Sequence, residues 1–236
     1  MIVITGASGS IGKAIATHLA FTISPLEESI LSMPAGGIPL PPKIIKTPTH
    51  AEMPVESAQA VNKYFANLSN IEILICAHGL YGEASRVENS DPWQWRYALE
   101  VNLLGTYNVC RFALSKMCRN GLIINIAGGG GMGDPVPFIS SYGCSKAGIV
   151  SFTKTLAAEH PDLRVNCIFP GMQDGEIHDR LLAAGPEGNP AYPAIKKMRE
   201  TGEGAIPVRN TLKLIDRMID ERFTGKVCFA RTGNIQ

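Results

Sequence analysis

Long apolar runs are missing from this sequence. No stretch reaches the roughly 18 consecutive apolar residues that a membrane-spanning helix needs. An excess charge of one sign is missing too: 22 Lys and Arg stand against 21 Asp and Glu, a formal net charge of +1. Nucleic-acid binders usually carry a clear basic excess, so nucleic acid is not an expected partner. No acidic tail or basic run offers a membrane surface a charged patch. The opening residues, Met-Ile-Val-Ile-Thr-Gly, lack the basic segment of a signal peptide. The six cysteines (76, 110, 118, 144, 167 and 228) form no CxxC pair and no Cys/His ligand spacing. No metal is expected, and the thiols read as buried groups in a reducing cytoplasm.

What the sequence does hold is a rhythm. Its 236 residues are 45% apolar, enough for a sizeable core, and are read as one domain over 1–236. Short apolar runs at 1–5, 71–76, 121–127, 163–169 and 226–230 have the character of strands buried on both faces. Helical stretches are expected near 10–20, 54–68, 92–118, 140–158 and 209–221. Asp91-Pro92 is a helix start, with a capping carboxylate and proline in the first turn. Ser140 and Ser141 are expected to cap the next helix in the same way. Alternating strands and helices predict an α/β fold: a doubly wound, Rossmann-type parallel sheet with helices on both faces. Two regions break the rhythm. Residues 21–42 hold five prolines where a second βα unit should sit. Residues 172–208 are rich in Gly and Pro and are read as an insertion covering a substrate.

Two motifs carry chemistry. Residues 5–12, Thr-Gly-Ala-Ser-Gly-Ser-Ile-Gly, lie between the first strand and the first helix. Glycines there let backbone approach a phosphate, and the helix N-terminus offers free N–H groups and a positive dipole end. Residues 142–146, Tyr-Gly-Cys-Ser-Lys, put Tyr142 and Lys146 on one helix face. A phenol with a pKa near 10 is a poor acid–base group at neutral pH, and a nearby ammonium would lower that value.

With these motifs in order, the chain resembles the short-chain dehydrogenase/reductase family along essentially its whole length. Thr5 to Gly12 is similar to the family's cofactor loop. Cys76-Ala77-His78-Gly79 stands where the family usually has Asn-Asn-Ala-Gly. Asn102 resembles the family's helix asparagine, and Tyr142 and Lys146 its tyrosine and lysine. Arg164 to Gly171 resembles the strand and turn that pass the nicotinamide, and Phe223 to Val227 the last strand. The resemblance implies catalytic roles for Tyr142, Lys146 and Asn102. It implies that Gly6, Ser8, Ser10, Ile11, Gly12, Ala77, Gly79, Tyr142, Lys146, Pro170 and Gly171 hold NAD or NADP. Tyr142 would exchange a proton with substrate, Lys146 would lower its pKa and bind ribose, and Asn102 would hold a water. A homodimer or homotetramer is also implied. The segment 180–187, with Gly128 to Gly131, is similar to a subgroup often placed among sugar and surface-glycan genes. The expected function is therefore hydride transfer between nicotinamide and a polar, sugar-like alcohol or ketone.

Departures from the family pattern qualify that expectation. The family's catalytic serine should lie about thirteen residues before the tyrosine. Here Asn125 to Gly133 contains no hydroxyl. Either glycine N–H groups of residues 128–131 replace it, or a substrate group does, or the enzyme is weak or dead; the plain alternative is that the run is only a flexible loop. Neither Thr22 nor Ser24 decides between NAD and NADP, the carboxylate that reads the ribose is missing, and so is the aspartate expected after the third strand. Gly175 stands where a threonine often holds the carboxamide. A weak hold on the adenosine end follows, with Lys46 and His50 as the groups nearby. The alternative reading is a degenerate family member that binds a nucleotide or partner without efficient turnover. His78 reads as a packed histidine, Trp93 and Trp95 as packing or interface residues. Asp174, Glu176, Arg180 and Arg209 are minor candidates for touching a polar substrate.

Overall fold

The computed structural model describes residues 1–22, 43–132, 136–173, 175–183, 185–186 and 191–236. Among the described residues, six strands form one sheet: β1 (Ile2–Thr5), β2 (Ile45–Lys46), β3 (Ile71–Cys76), β4 (Met117–Ile126), β5 (Arg164–Phe169) and β6 (Val227–Phe229). All pairings are parallel, in the order β2-β1-β3-β4-β5-β6. The chain leaves β1 to one side for β2 and returns to the other side for β3. A crevice opens where the winding reverses, at the carboxyl ends of β1 and β3.

Each strand alternates between two apolar layers, because successive side chains point to opposite faces. Val3, Leu74, Ile123 and Val165 lie in one core with Val61 and Phe65 of α2 (Ala58–Ala66). Ile2, Ile4, Ile75, Ile124 and Ile168 lie in the other, with Ile15 and Leu19 of α1 (Ser10–Thr22). The helices are therefore on both sides of the sheet. The other helices are α3 (Pro92–Leu99), α4 (Gly105–Ala113), α5 (Ser140–Glu159), α6 (Glu176–Ala183), α7 (Tyr192–Thr201) and α8 (Val208–Asp220).

Local chemistry sets several ends. Ser57 caps α2 by accepting from the Ala60 N–H at 3.3 Å. Asp91 caps α3 by accepting from Trp93 at 2.9 Å, with Pro92 at the first position, as expected. Ser140 and Ser141 do not cap α5. The cap position is Ile139, without a side-chain bond, and Ser140 Oγ instead accepts the Trp95 indole N–H at 3.0 Å. The helix expected over 92–118 is also revised. A π-helical turn at Glu100–Leu104 separates α3 from α4, and strand β4 has begun by Met117. Ile71 pairs with Met117 but Ile73 with Leu122, so two steps on β3 span five on β4. Asn120, in the left-handed region at φ 62°, turns that extra backbone. The insertion 172–208 contains α6 and α7, not only loop. Of the segment 21–42, residues from 23 onward, Ser24 included, lie outside the described residues.

Candidate active site

The Gly-rich turn follows β1 directly, and its glycines are fixed by close approach. A Cβ on Gly6 would overlap the backbone of His78, and one on Gly12 would overlap the carbonyl of Gly6. The turn therefore closes tightly onto the end of β3 and delivers the N-terminus of α1 to the crevice. A cradle of bare backbone with free N–H groups at a helix start suits a pyrophosphate. Gly6 and Ser8 line a cavity of about 280 Å³, together with Pro48 and His50. Ser10, Ile11 and Gly12 line the neighbouring cavity of about 650 Å³. Ala77 and Gly79 border both, and Pro170 and Gly171 form part of the wall of the larger one.

Tyr142 and Lys146 come from the first turns of α5 and enter the same larger cavity. The Tyr142 hydroxyl lies against Gly128, at the place a Cβ there would occupy. Gly131 in turn meets the backbone of Lys146, where a Cβ would come within 2.9 Å of its carbonyl carbon. The glycine run is thus a close-packed turn pressed against α5 and not a loose loop. Gly129 alone of its members faces open space.

Lys146 is 3% exposed. Its ammonium donates to the Ile126 carbonyl at 2.9 Å and lies 5.6 Å from the centre of the Tyr142 ring. Burial lowers the Lys146 pKa to about 8. Burial also pushes the Tyr142 phenol up to about 12. The expectation that Lys146 lowers the phenol pKa is therefore not met in this arrangement. Desolvation of the phenolate is the larger effect, and the ammonium is engaged by a carbonyl.

Asn102 is fully buried in the π turn. Its Oδ1 accepts from Leu80 N at 2.8 Å, and its Nδ2 donates to Leu80 O at 2.8 Å and to Ser145 Oγ at 3.0 Å. Both amide hydrogens are spent, which leaves one lone pair on Oδ1 for a water. A Cβ on Gly79 would stand 3.2 Å from Asn102 Oδ1 and 3.5 Å from Lys146 Nζ, so Gly79 bridges these two side chains.

His78 is held from both sides. Thr106 donates its hydroxyl hydrogen to the Asn102 carbonyl at 2.7 Å, so its oxygen accepts from His78 Nε2 at 3.3 Å. His78 then carries its hydrogen on Nε2, and Nδ1 accepts from the Thr5 hydroxyl at 2.6 Å. Burial, followed by the charge on Lys146, lowers its pKa to about 3. A neutral imidazole thus ties β1 to the helix that carries Asn102.

Tyr81 escaped the sequence reading. Its ring stacks on Tyr142 with centroids 4.9 Å apart and an interplanar angle of 27°. No short-range spacing marks such a pair, because 61 residues separate its members in the chain. Ser145, which bonds Asn102, lay unread between Tyr142 and Lys146. Of the minor candidates, Thr22 spends its hydroxyl on the His18 carbonyl, and Arg209 is exposed on α8. Trp93 is exposed and stacks on Tyr97, while Trp95 donates to Ser140. Asp174 and the side chains of Glu176 and Arg180 lie outside the described residues. Four cysteines are buried, Cys118 is half-buried, Cys144 is exposed, and all six are free thiols.

Comparison with known proteins places this geometry. Residues 39–184 match the short chain dehydrogenase family. Nodulation protein G of Rhizobium meliloti is 31% identical over 186 residues, covering 75% of each chain. A 3-oxoacyl-[acyl-carrier-protein] reductase of Thermotoga maritima is 30% identical over 220 residues, covering 87% of this chain and 81% of its own. Among solved structures, a small-chain dehydrogenase in complex with NADPH superposes with a TM-score of 0.76 at 20% identity, covering 97% of this chain and 94% of that one. The ligand-free aldohexose dehydrogenase of Thermoplasma acidophilum gives 0.75 at 21% identity, with 97% and 91% covered.

Proposed function

The chain belongs to the short-chain dehydrogenase family, and on that premise we propose that Tyr142, Lys146 and Asn102 serve an NAD(P)-dependent oxidoreductase acting on an alcohol or ketone. The observation that carries this reading is convergence. Residues 9–12 of the glycine cradle and the Tyr142–Lys146 pair, from opposite halves of the chain, border one cavity, and Gly6 and Ser8 line the cavity beside it. The NADPH complex of a structural neighbour supports the cofactor class, without choosing NAD or NADP for this chain.

When bound, the nicotinamide supplies or accepts the hydride. The chain's residues position it and move the proton. Gly6, Ser8, Ser10, Ile11 and Gly12 take the pyrophosphate with backbone N–H groups. Ala77, Gly79, Pro170 and Gly171 flank the nicotinamide end, and Lys146 holds its ribose. Tyr142, neutral because burial holds its pKa near 12, donates a proton to a carbonyl oxygen during reduction. Asn102 fixes Leu80 and Ser145, and through them the floor on which Lys146 stands. The segment 172–208 covers the substrate, reaching the cavity through Met172 and Ile195.

We also infer a homodimer or homotetramer formed through α3, α4 and α5. Leu104 and Tyr107 are 50% and 40% exposed on that helical layer, and self-complementary two-fold contacts are the commonest oligomer geometry. A cytoplasmic location rests on the six free thiols, which suit a reducing compartment. The second reading, a nucleotide binder without efficient turnover, rests on the absence of any hydroxyl over residues 125–133.

NADH and NADPH titrated by fluorescence, paired with Tyr142→Phe, test the proposal. The variant is expected to bind cofactor like the wild type and to lose about 10²- to 10⁴-fold in kcat. A wild type that binds neither cofactor, or a variant with unchanged turnover, would overturn it.

A further inference from the structure

Beyond Tyr142 the larger cavity changes character. Tyr81, its ring stacked on Tyr142, lines it, and so does Ile139, 4% exposed, just before α5. The insertion adds Met172, Ala191 and Ile195 to the same lining, packed with Tyr81 and Ile139. Tyr81, Ile139, Ile195 and Met198 form a buried apolar cluster of their own, separate from the two cores of the sheet. Such a cluster beyond the edge of the sheet contributes nothing to strand packing. Met132 and Val136, each 36% exposed, extend the apolar surface outward along the rim.

The polar side chains that also line the cavity, besides the two tyrosines, are Ser10, His78, Lys146, Gln173, His178 and Arg231. Lys146 is engaged by the Ile126 carbonyl beneath Tyr142. Gly175 lies against Ser10, so the turn leading into His178 stands at the α1 end of the cavity, where the pyrophosphate is placed. No carboxylate borders the cavity among the described residues.

Resting on the oxidoreductase reading above, we propose that the substrate is a ketone or secondary alcohol with an apolar alkyl or aryl arm, and not a sugar. Its oxygen meets the Tyr142 hydroxyl, and its arm lies against the apolar lining of Tyr81, Ile139, Met172 and Ile195. In the reduction, one hydride with its two electrons passes from the dihydronicotinamide to the carbonyl carbon. The carbon–oxygen π bond breaks, the phenol proton goes to oxygen, and the phenolate regains its proton from solvent. The products are the alcohol and the oxidised cofactor. A polyhydroxylated substrate would set its hydroxyls against methyl, thioether and ring carbons, losing about tenfold or more in affinity for each one left unpartnered. This reverses the sugar-like expectation carried by residues 128–131 and 180–187.

The test compares 2-butanone, 2-hexanone, 2-octanone and fructose as substrates of the wild-type protein, with NADPH and with NADH. Each added methylene is expected to raise kcat/KM by up to about fourfold, and fructose is expected to fall below 2-butanone. Fructose turned over as well as 2-octanone, or a flat response to chain length, overturns the apolar arm and leaves the oxidoreductase reading standing. The shift in melting temperature produced by 2-octanol and by sorbitol, with cofactor present, gives a readout free of turnover. Stabilisation by 2-octanol alone without reduction of any ketone keeps the apolar cavity and removes the activity. Stabilisation by sorbitol alone, or by neither alcohol, overturns the proposal.

Discussion

Tyr142 and Gly128 share one small volume, and that contact bears on the missing serine. The phenol hydroxyl occupies the place of a Cβ at residue 128, so a serine there would push the phenol aside. Gly128→Ser is expected to lower kcat by about a hundredfold, the scale of a reacting group displaced by about 1 Å. Gly129→Ser meets open space and is expected to leave kcat and melting temperature near wild type. Steady-state kinetics of the two variants separate these outcomes, and equal losses would contradict the placement. Lys146 and His78 give stability a signature in pH. Lys146 falls from 10.5 to about 8 on folding, so between those values the unfolded chain binds the extra proton. Stability therefore rises with pH across that window, by on the order of 3 kcal/mol for a shift of this size. His78 falls from 6.5 to about 3, so its contribution is present above 6.5 and is lost as pH falls toward 3. Denaturant melts of Lys146→Met should lack the alkaline rise, while the wild type shows it. The Tyr142–Lys146 pair was legible because a spacing of four is a local property of a helix. Tyr81 was not, because its place over Tyr142 comes from tertiary packing.

The π turn at Glu100–Leu104 has a structural consequence. The Gly105 N–H reaches back five residues to the Glu100 carbonyl, and the widened turn contains Asn102, whose amide pins both backbone groups of Leu80. Such turns often accompany functional sites. Asn102→Ala leaves the half-buried N–H and C=O of Leu80 without their partner and is expected to cost about 2 kcal/mol. Chemical denaturation measures this cost, and a change below about 0.5 kcal/mol, the range of ordinary surface substitutions, would contradict it. Hydrophobic periodicity could not reveal this element, because the apolar pattern runs through the π turn into α4 without interruption. The same limit explains the misplaced end of the long helix. Residues 117–120 continue its composition, yet Met117 pairs with Ile71 of β3 and the residues after it form a bulge. The Asp91 cap was legible because Asp-Pro is a local signal. The Ser140 cap failed because Trp95, distant in sequence, claims that hydroxyl.

At the scale of the whole molecule, the reversal of strand order between β1 and β3 gathers the site. It brings a glycine turn from the start of the chain beside the turns after β3, β4 and β5. This architecture was legible in the alternation of apolar runs with helical stretches. The proposed homodimer or homotetramer has its sequence basis in the family resemblance alone. Light scattering at micromolar concentration is expected to give at least twice the 25.4 kDa of one chain, and Leu104→Asp is expected to shift the mass toward one chain. A monomeric wild type would refute the inferred assembly. The adenosine end is expected to be held weakly, since among the described residues no carboxylate borders the smaller cavity beside Pro48 and His50. Sub-micromolar affinity for either cofactor would contradict that reading.

The central claim is that hydride passes in the larger cavity while Tyr142 supplies the proton. The most direct measurement uses NADPH and NADH carrying deuterium at the transferable C4 position, and follows the label into the product alcohol by mass spectrometry. The wild type is expected to place one deuterium on the former carbonyl carbon, and Tyr142→Phe to do so at least about a hundredfold more slowly. Unlabelled product, or label transferred by Tyr142→Phe at the wild-type rate, would contradict the account.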